Sequence, residues 1–541
     1  MLHILILGGT IVDGTGRPGF RGDLGIADDR IVFIGKATEA MIQSAGTVIH
    51  AEGKVVSPGF IDCHTHSDLS LFTAPDASAR LYGGVTTEIA GNCGVGVAPI
   101  SEEYREDLKQ YFLSMFPIQN PLNRPVFTWN TFDEYLRTMD QDPAAINVGS
   151  LVSQGAVRLA VKGFQKGVAN AEELRAMQDL VSEAMEAGAF GISTGLNYLP
   201  GAFCDRKELI EVTKPVSAYD GMYISHIRTQ SEGIFEAIDE AFAIAGEANV
   251  GVHISHLKLL GSPVWGKTDE LFAKIEAAKA AGLPVSFDAY PYEAGATGLT
   301  ALLPHWAMEG GIPAMMERLS NPEIREKIRQ DCIHGLPGWQ AMIKTVGFDN
   351  ITISDLSGKQ NQGLIGKTVT EAAQLRGQTA FDALFDVLLE EEGKASMVIS
   401  HLSPKDVDAI IAHPDCMIAS DSTSAVFGKP HPRFYGTNGK ILQTYVREKK
   451  LLTLEEAVRK MTELPARQFR VSDRGELREG YFADVLIFDP ETIGDVATYE
   501  DPARYSVGMD TVIVNGQIAF SQGKPTNVLA GRVLRRAKSV T

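Results

Sequence analysis

The stretch Val55–Asp68, VVSPGFIDCHTHSD, places two histidines, His64 and His66, directly after a run of apolar residues. A short apolar run bounded by turn residues predicts a buried β-strand. Side chains two residues apart on a strand point to the same face, so the two imidazoles should project together. They are candidate functional residues, and the alternative at this point is that two structural histidines merely end a strand.

The residues that follow repeat this pattern of a short apolar run and then a helix. From about Phe60 to Phe469, apolar runs alternate with helical segments such as AEELRAMQDLVSEAMEAG at residues 171–188. Alternation of strand and helix over so long a stretch is typical of a parallel α/β fold, most commonly a (β/α)8 TIM-like barrel. We therefore predict an α/β protein with a barrel domain over residues 58–469.

The two ends of the chain have a different texture. LHILILGGTIVDG at residues 2–14 and DTVIVNGQIAFSQGKPT at residues 510–526 read as strands separated by turns. The terminal segments, residues 1–57 and 470–541, are predicted to pair with each other as one small β-sandwich.

One stretch fits the barrel pattern poorly. Residues from about 290 to 350 are rich in Gly, Pro and Trp, as in LLPHWAMEGGIPAM and IHGLPGWQAM. A long irregular segment inside a compact domain is usually a functional lid or an inserted subdomain. We expect an insertion over the substrate site.

Composition excludes several classes of partner. The net charge of the 541-residue chain is −18, and no cluster of Lys and Arg occurs, so nucleic acid and anionic membrane surfaces are poor candidates. The five cysteines are an odd number scattered along the chain, which favours reduced thiols over a disulfide framework. The N-terminus lacks the features of an export signal, so a cytoplasmic location is expected. The oligomeric state is left open.

Four more polar residues fall at or just after the ends of apolar runs in the middle of the chain. Cys93 stands in TTEIAGNCG, His226 closes GMYISH, His256 closes NVGVHISH, and Asp421 closes CMIASD. Each has a plain structural alternative when taken alone: a buried thiol, a core histidine or a turn-forming aspartate. Their joint placement at strand ends, with His64 and His66, indicates a metal site with a general base beside it. His253 lies three residues from His256, points to the other face and is predicted to be structural.

These motifs together resemble the amidohydrolase superfamily. The resemblance rests on SPGFIDCHTH leading into the barrel, on the later strand-end histidines and on ADVLIFD at residues 483–489, which returns the chain to the sandwich. Within the superfamily the sequence most resembles the D-aminoacylases, or N-acyl-D-amino-acid deacylases. The motifs that carry this narrower likeness are GNCG at Gly91–Gly94, GLNYLPG at Gly195–Gly201, HISHLK at His253–Lys258, DAYPYEAG at Asp288–Gly295 and HPRFYG at His431–Gly436.

The resemblance implies a set of metal ligands. A tight Zn²⁺ would be held by Cys93, His226 and His256, and a second, weaker site would use His64, His66 and the shared Cys93. In this family the cysteine takes the place of the carboxylated lysine that bridges metals in many amidohydrolases.

The resemblance also implies residues that act on the substrate. Asp421 matches the catalytic aspartate. A planar Arg fork pairs well with a carboxylate, and a Lys adds a point charge. The implied substrate-binding residues, which hold the α-carboxylate, are Tyr198, Lys258 and Arg433, with Tyr290 and Tyr292 of DAYPYEAG as further candidates.

The predicted activity is zinc-dependent hydrolysis of the linear amide of small N-acyl-D-amino acids. Gly298 stands where, by resemblance, the D-glutamate-specific members have an arginine, so neutral or hydrophobic side chains are expected. The alternatives are a cyclic amidase of the hydantoinase or dihydroorotase kind on the same scaffold, and a non-catalytic scaffold protein. The acyl group and the number of active zinc ions are left open, and the D configuration follows from the resemblance alone.

Overall fold

The computed structural model describes residues 2–117, 122–423 and 428–536, which form a mixed α/β structure. The strands in these residues are β1 (Ile4–Ile11), β2 (Phe20–Ala27), β3 (Arg30–Gly35), β4 (Thr47–His50), β5 (Val55–Pro58), β6 (Phe60–Asp62), β7 (Val85–Ala90), β8 (Asn147–Ser150), β9 (Val152–Ser153), β10 (Gly191–Gly195), β11 (Met222–His226), β12 (Gly251–Ile254), β13 (Val285–Ala289), β14 (Ala294–Gly298), β15 (Ile351–Leu356), β16 (Ala395–Ser400), β17 (Cys416–Ile418), β18 (Val485–Phe488), β19 (Met509–Val514), β20 (Gln517–Ser521) and β21 (Lys524–Pro525).

The α-helices are α1 (Glu39–Ser44), α2 (Ser70–Thr73), α3 (Ser78–Tyr82), α4 (Arg105–Met115), α5 (Phe132–Gln141), α6 (Gln154–Lys162), α7 (Ala171–Ala187), α8 (Arg206–Thr213), α9 (Ile234–Ala248), α10 (Thr268–Ala280), α11 (Gly311–Ser320), α12 (Pro322–His334), α13 (Met342–Val346), α14 (Val369–Arg376), α15 (Ala380–Glu390), α16 (Pro404–Ala412), α17 (Arg433–Lys440), α18 (Leu454–Met461) and α19 (Glu463–Phe469). A π-helical segment, Ile441–Glu448, continues α17. Within the described ranges, none of these helices combines the length and hydropathy that a membrane crossing requires.

Strands from both ends of the chain share one nine-stranded sheet. Its order is β21-β20-β19-β18-β5-β1-β2-β3, with β4 beside β1, so that β18 pairs antiparallel with β5. Successive side chains of β18 pack into different hydrophobic cores, because neighbouring residues on a strand point to opposite faces of the sheet. Val485 and Ile487 pack with the apolar residues of the terminal sheet, whereas Leu486 and Phe488 pack into the main core of the molecule. The terminal sheet is therefore buried on both faces at β18.

The middle of the chain supplies parallel strands. One sheet has the order β17-β13-β12-β11-β10-β9 and another the order β6-β7-β8, and all pairs in them are parallel. The residues after β6 and β17 also meet, since the Asp421 N–H donates to the His64 carbonyl at 2.9 Å and the His66 N–H donates to the Ser422 carbonyl at 2.8 Å. The carboxyl ends of these strands thus face a common region, which contains HTH and Asp421.

A separate antiparallel sheet is formed by strands that begin within the predicted insertion and continue past it. Strands β14, β15 and β16 make an antiparallel sheet with β16 in the centre, and helices α11 to α15 lie in the segments between these strands. Because the central strand ends at Ser400, the unit continues well past the predicted end near residue 350. The sequence around β16, SMVISH, follows a helix and mimics another strand of the parallel sheet, so the pattern alone did not reveal the later boundary.

A buried polar network joins the terminal sheet to β8. Asp484, just before β18, accepts hydrogen bonds from the Asn147 side chain at 3.1 Å and from the Asn515 N–H at 2.8 Å, and it pairs with Arg474. The side chains of Arg474 and Asp484 are only 2% and 5% exposed. A buried ion pair is destabilising once one partner is removed, because the other charge remains without compensation.

Replacing Asp484 by Ala should lower the free energy of unfolding by about 3–5 kcal/mol, because Arg474 is left buried and unpaired. Urea-induced unfolding measures this change. The matched control is Arg137→Ala, which removes a helix-surface pair with Asp133 from a side chain that is 71% exposed. That control should cost less than about 1 kcal/mol. Equal unfolding curves for Asp484→Ala and the wild type would contradict the role of this network.

Candidate functional site

Four side chains meet at the carboxyl ends of the parallel strands. His64 follows β6, Cys93 follows β7, His256 follows β12 and Asp421 follows β17. One ligand atom from each of the four lies within 4.8 Å of the others, and all four residues are buried. Groups of this kind are rarely buried together unless they are paired or bind a metal ion.

The thiol of Cys93 lies at the centre of this cluster. Its Sγ is 3.3 Å from Nε2 of His64 and 3.4 Å from Nε2 of His256. Burial raises the pKa of the Cys93 thiol, and the charge of His64 lowers that pKa only in part. A thiolate ligand in this position therefore calls for a nearby cation, as a zinc site provides.

His226 and His66 flank the cluster. The His226 ring centroid is 4.4 Å from that of His256, although His226 is not one of the four residues whose ligand atoms lie within 4.8 Å. Both ring nitrogens of His226 and Nδ1 of His66 are buried and have no hydrogen-bond partner among the described residues. Burial, followed by the charge of Lys258, lowers the pKa of His226 to about 3. Neutral, unpartnered imidazole nitrogens fit metal coordination.

The backbone at three of these positions is strained. Cys93, His256 and Asp421 have φ values of +53°, +35° and +49°, in the left-handed region that non-glycine residues seldom adopt. Such residues cost about 1–3 kcal/mol each and persist where the surrounding structure holds them. The strain at three converging side chains is typical of a functional site.

Close packing around Cys93 explains two glycines of the quoted motifs. A Cβ atom on Gly195 would lie 2.0 Å from the carbonyl oxygen of Cys93, and one on Gly94 would lie 2.5 Å from the backbone nitrogen of Gly195. GNCG and GLNYLPG therefore need glycine where the two loops touch, and this contact holds the Cys93 turn against the end of β10.

Asp421 is held by cationic and imidazole groups. Its carboxylate lies 3.2 Å from Nε2 of His66, 3.5 Å from Nε2 of His64 and 3.0 Å from Nη1 of Arg433. Burial alone would raise the pKa of Asp421, but the charge of Arg433, followed by those of His256 and His64, outweighs burial and keeps the pKa well below its usual range. Asp421 is therefore ionised and able to accept a proton.

Most of these residues line a cavity that also has a cationic wall. Lys258 donates a hydrogen bond to the Tyr290 hydroxyl at 2.8 Å, and the Arg433 guanidinium lies 4.7 Å from the centre of the Tyr290 ring. The Tyr198 hydroxyl accepts a hydrogen bond from Thr297 at 3.3 Å. The predicted residues that line this cavity are His66, Cys93, Tyr198, His226, His256, Lys258, Tyr290, Asp421 and Arg433.

Tyr292 is the predicted substrate-binding residue that the structure places elsewhere. Its ring is buried, its hydroxyl donates to Asp495 at 2.8 Å, and Lys440 lies 4.1 Å from the ring centre. Residues two apart in DAYPYEAG do not point to the same region here, because the segment after β13 is not an extended strand. Tyr292 thus supports the loop from outside the cavity.

A second cavity adjoins the first, and the two share six lining residues, including Met115, Asp421 and Arg433. The rest of the second cavity is lined by apolar side chains, such as Met397 and Phe434, and by polar ones, among them Asp355.

Sequence reasoning missed several residues of the site. Asp288, next to last in the β13 sequence VSFDA, bonds both His64 and His253, yet it was quoted only as part of a motif. Gln230 lies 3.0 Å from Nδ1 of His256, and His401 lines the main cavity. The strand-end rule that selected His226 and His256 would also have selected Asp288 and His401, because both follow apolar runs.

Comparison with known proteins places this site in a family. The sequence model described as the amidohydrolase family matches residues 47–312 and 352–520. The chain is 36% identical to a D-aminoacylase of Alcaligenes xylosoxydans xylosoxydans, over 98% of this chain and 97% of that protein.

Solved structures give the same family and a more distant fold likeness. An N-acyl-D-glutamate deacylase from Bordetella bronchiseptica, complexed with zinc and a phosphonate mimic of the tetrahedral intermediate, is 32% identical, with 99% of both chains covered and a TM-score of 0.81. A D-hydantoinase, 14% identical with a TM-score of 0.54 and 99% of both chains covered, shares the fold alone. The chain belongs to the amidohydrolase family and, within it, to the D-aminoacylases, the N-acyl-D-amino-acid deacylases.

Proposed function

We propose that this protein hydrolyses the amide bond of N-acyl-D-amino acids and releases a carboxylate and a free D-amino acid. The observation that carries the proposal is the buried set of Cys93, His64, His256 and Asp421, of which all but His64 line one cavity together with Lys258 and Arg433. Together these residues supply a thiol and imidazoles that can bind a metal ion, a carboxylate that can act as a base, and two cations that can bind the carboxylate of a substrate. The preference for the D configuration is supported by the names of the relatives.

We infer further that the parallel strands form a (β/α)8 barrel over residues 58–469, with residues 1–57 and 470–541 as the β-sandwich. The parallel order of the two inner sheets and the hydrogen bonds between the residues after β6 and after β17 support the barrel. The pairing of β5 with β18 supports a unit built from both ends. The unit from β14 to β16 contributes Thr297 and Ile399 to the cavity lining, as a lid over the site would.

The donor set fits zinc. Cys93, His226 and His256 would hold the tight ion, and His64 and His66 with Cys93 would hold a weaker one. The unpartnered nitrogens of His226 and His66 and the thiol at the centre of the cluster support this assignment. Zinc, when bound, supplies a positive charge that polarises the acyl carbonyl and lowers the pKa of a water molecule to about 7.

Asp421 is the proton carrier of the reaction. In its ionised form it accepts a proton from the attacking water and returns that proton to the amide nitrogen as the C–N bond breaks. Contacts with His66 and Arg433 keep its carboxylate directed into the cavity.

Lys258 and Arg433, with the hydroxyls of Tyr198 and Tyr290, bind the α-carboxylate of the substrate. The Nε atom of Arg433 is buried without a hydrogen-bond partner among the described residues, so the guanidinium has donors to spare while it pairs with Asp421. Fixing the carboxylate fixes which face of the Cα atom enters the cavity. The second cavity beside Arg433, with Met397 and Phe434 in its wall, then accepts a neutral or hydrophobic side chain, in keeping with the absence of a cation at Gly298.

Replacing Asp421 by Asn should lower kcat by about 100- to 10,000-fold, because the amide cannot accept the water's proton. Bound zinc, measured by elemental analysis of the purified protein, should persist. The matched control is Asp495→Asn, which changes a carboxylate that bonds Tyr292 outside the cavity. Near-normal turnover by a zinc-loaded Asp421→Asn protein would refute the assignment.

Replacing Lys258 by Met should raise KM by about 10- to 100-fold, since a hydrogen bond to a charged group contributes about 1.5–3 kcal/mol. The wild type should prefer N-acetyl-D-methionine to its carboxamide, and the variant should lose most of that preference. Steady-state kinetics with both compounds measures the effect. An unchanged ratio in the variant would show that Lys258 does not contact the carboxylate.

The wild type should release free amine from N-acetyl-D-methionine faster than from N-acetyl-L-methionine, and it should leave hydantoins intact. The physical reason is that the carboxylate-binding wall requires a free α-carboxylate, which a hydantoin ring lacks. A panel that scores amine release and ring opening tests this. Faster opening of hydantoins would favour the cyclic amidase alternative.

A further inference from the structure

Asp288 lies directly beneath the candidate metal site. It stands in β13, where the chain reads VSFDA, and its side chain is fully buried. The reaction proposed above uses no atom of this residue. Its contacts nevertheless reach two of the four clustered donors.

One carboxylate oxygen of Asp288 bonds two imidazoles. Its Oδ2 lies 3.1 Å from Nδ1 of His64 and 2.8 Å from Nε2 of His253. The other ring nitrogen of His253 lies 2.9 Å from the Ser286 hydroxyl, so both nitrogens of that ring already have partners. Cys63, His253 and Asp288 bring ligand atoms within 4.8 Å of one another, but these satisfied hydrogen bonds favour a supporting network there over a further metal site.

The contact with His64 fixes where that ring carries a proton. A carboxylate oxygen accepts hydrogen bonds, so Nδ1 of His64 must donate to it. The opposite nitrogen, Nε2, is the one that lies 3.3 Å from the Cys93 thiol. A histidine that donates through one nitrogen to a carboxylate offers the lone pair of the other nitrogen to a metal.

The contact with His256 acts on the backbone. Oδ1 of Asp288 accepts the His256 N–H at 3.0 Å, and the Asp288 carbonyl accepts the Leu257 N–H at 2.8 Å. His256 has the strained φ of +35° and directs Nε2 to within 3.4 Å of the Cys93 thiol. Asp288 therefore holds two consecutive N–H groups at the turn that aims His256.

We propose that Asp288 is a positioning residue of the metal site, which sets the proton of the His64 ring and the turn of His256 so that both rings present Nε2 to the metal positions beside the Cys93 thiol. This proposal rests on the metal site described under the proposed function. Under this proposal Asp288, which is not itself a metal ligand, strengthens metal binding and takes no part in proton transfer.

Asp288→Asn tests the proposal with little change of shape. An asparagine side chain has one acceptor oxygen, whereas Asp288 receives N–H groups at both oxygens. In either orientation of the asparagine, its NH₂ group points at a group that donated a hydrogen bond to Asp288. If the NH₂ points at His64, Nδ1 of that ring must accept a hydrogen bond, and the ring proton moves to Nε2, the nitrogen that the metal needs. Loss of such a supporting carboxylate typically weakens metal binding by about 10- to 100-fold.

The experiment compares metal-free wild type, Asp288→Asn and two controls by zinc titration against a competing chelator. The control His253→Gln keeps an N–H donor toward Asp288, and Glu208→Gln alters a buried carboxylate that pairs with Arg158 away from the cavity. Thermal unfolding of each metal-free protein separates loss of stability from loss of affinity. The thiolate-to-cobalt charge-transfer band of the cobalt-substituted proteins reports the ligand geometry.

We expect Asp288→Asn to bind zinc about 10- to 100-fold more weakly, with an altered cobalt band, and both controls to bind as the wild type does. Wild-type affinity and spectrum in Asp288→Asn would overturn the proposal and leave the proposed function standing. A wild type that binds no zinc would overturn the metal site itself.

The wild-type protein offers a second measurement if Asp288→Asn does not fold. In zinc-loaded protein with isotope-labelled histidine, nuclear magnetic resonance should show a proton on Nδ1 of His64, assigned by the loss of its signals in His64→Gln. An Nδ1 without a proton would overturn the proposal.

Discussion

Burying a thiol, imidazoles and a carboxylate within 4.8 Å of one another is the constraint on which the rest of this structure depends. Each polar group loses its hydration, and that loss is offset only by partners of suitable charge and direction. Arg433 supplies part of the compensation for Asp421, and Asp288 supplies part of it for the histidines. Among the described residues, His226 and His66 keep buried ring nitrogens without a hydrogen-bond partner, which a metal ion would satisfy.

The fold meets this constraint by ending parallel strands at one place. Four strand ends each contribute one side chain to the cluster of His64, Cys93, His256 and Asp421, and the left-handed turns at Cys93, His256 and Asp421 direct those side chains inward. Such turns are unfavourable in isolation, and they are held by close packing, as at Gly195 against Cys93, and by hydrogen bonds, as from His256 to Asp288.

Much of this arrangement could be predicted from the sequence. The mixed α/β fold and the membership of the D-aminoacylases are confirmed by comparison with known proteins. Both could be predicted because they depend on patterns that repeat along the chain and on motifs such as HTH and GNCG. Strand-end position also selected Cys93, His226, His256 and Asp421, which the structure brings to one cavity. Their roles as ligands and base stay predictions.

The parts that sequence could not supply depend on contacts between distant segments. Tyr292 was grouped with Tyr290 because they share a motif, yet the bend after β13 turns it toward Asp495. The end of the inserted unit was misplaced because β16 resembles a strand of the parallel sheet, and only its antiparallel pairing with β14 and β15 shows otherwise. Asp288 follows an apolar run and could have been selected by the same strand-end rule, but its bonds to His64 and His256 are contacts between distant segments that the sequence does not show.

The central claim is that the Cys93 thiolate and histidine nitrogens share one zinc ion. X-ray absorption spectroscopy at the zinc edge of the purified protein tests it most directly. We expect a first shell with one sulfur at about 2.3 Å and the remaining ligands nitrogen or oxygen at about 2.0–2.2 Å, with the sulfur lost in Cys93→Ser. A shell without sulfur in the wild type, or one unchanged in Cys93→Ser, would contradict the account.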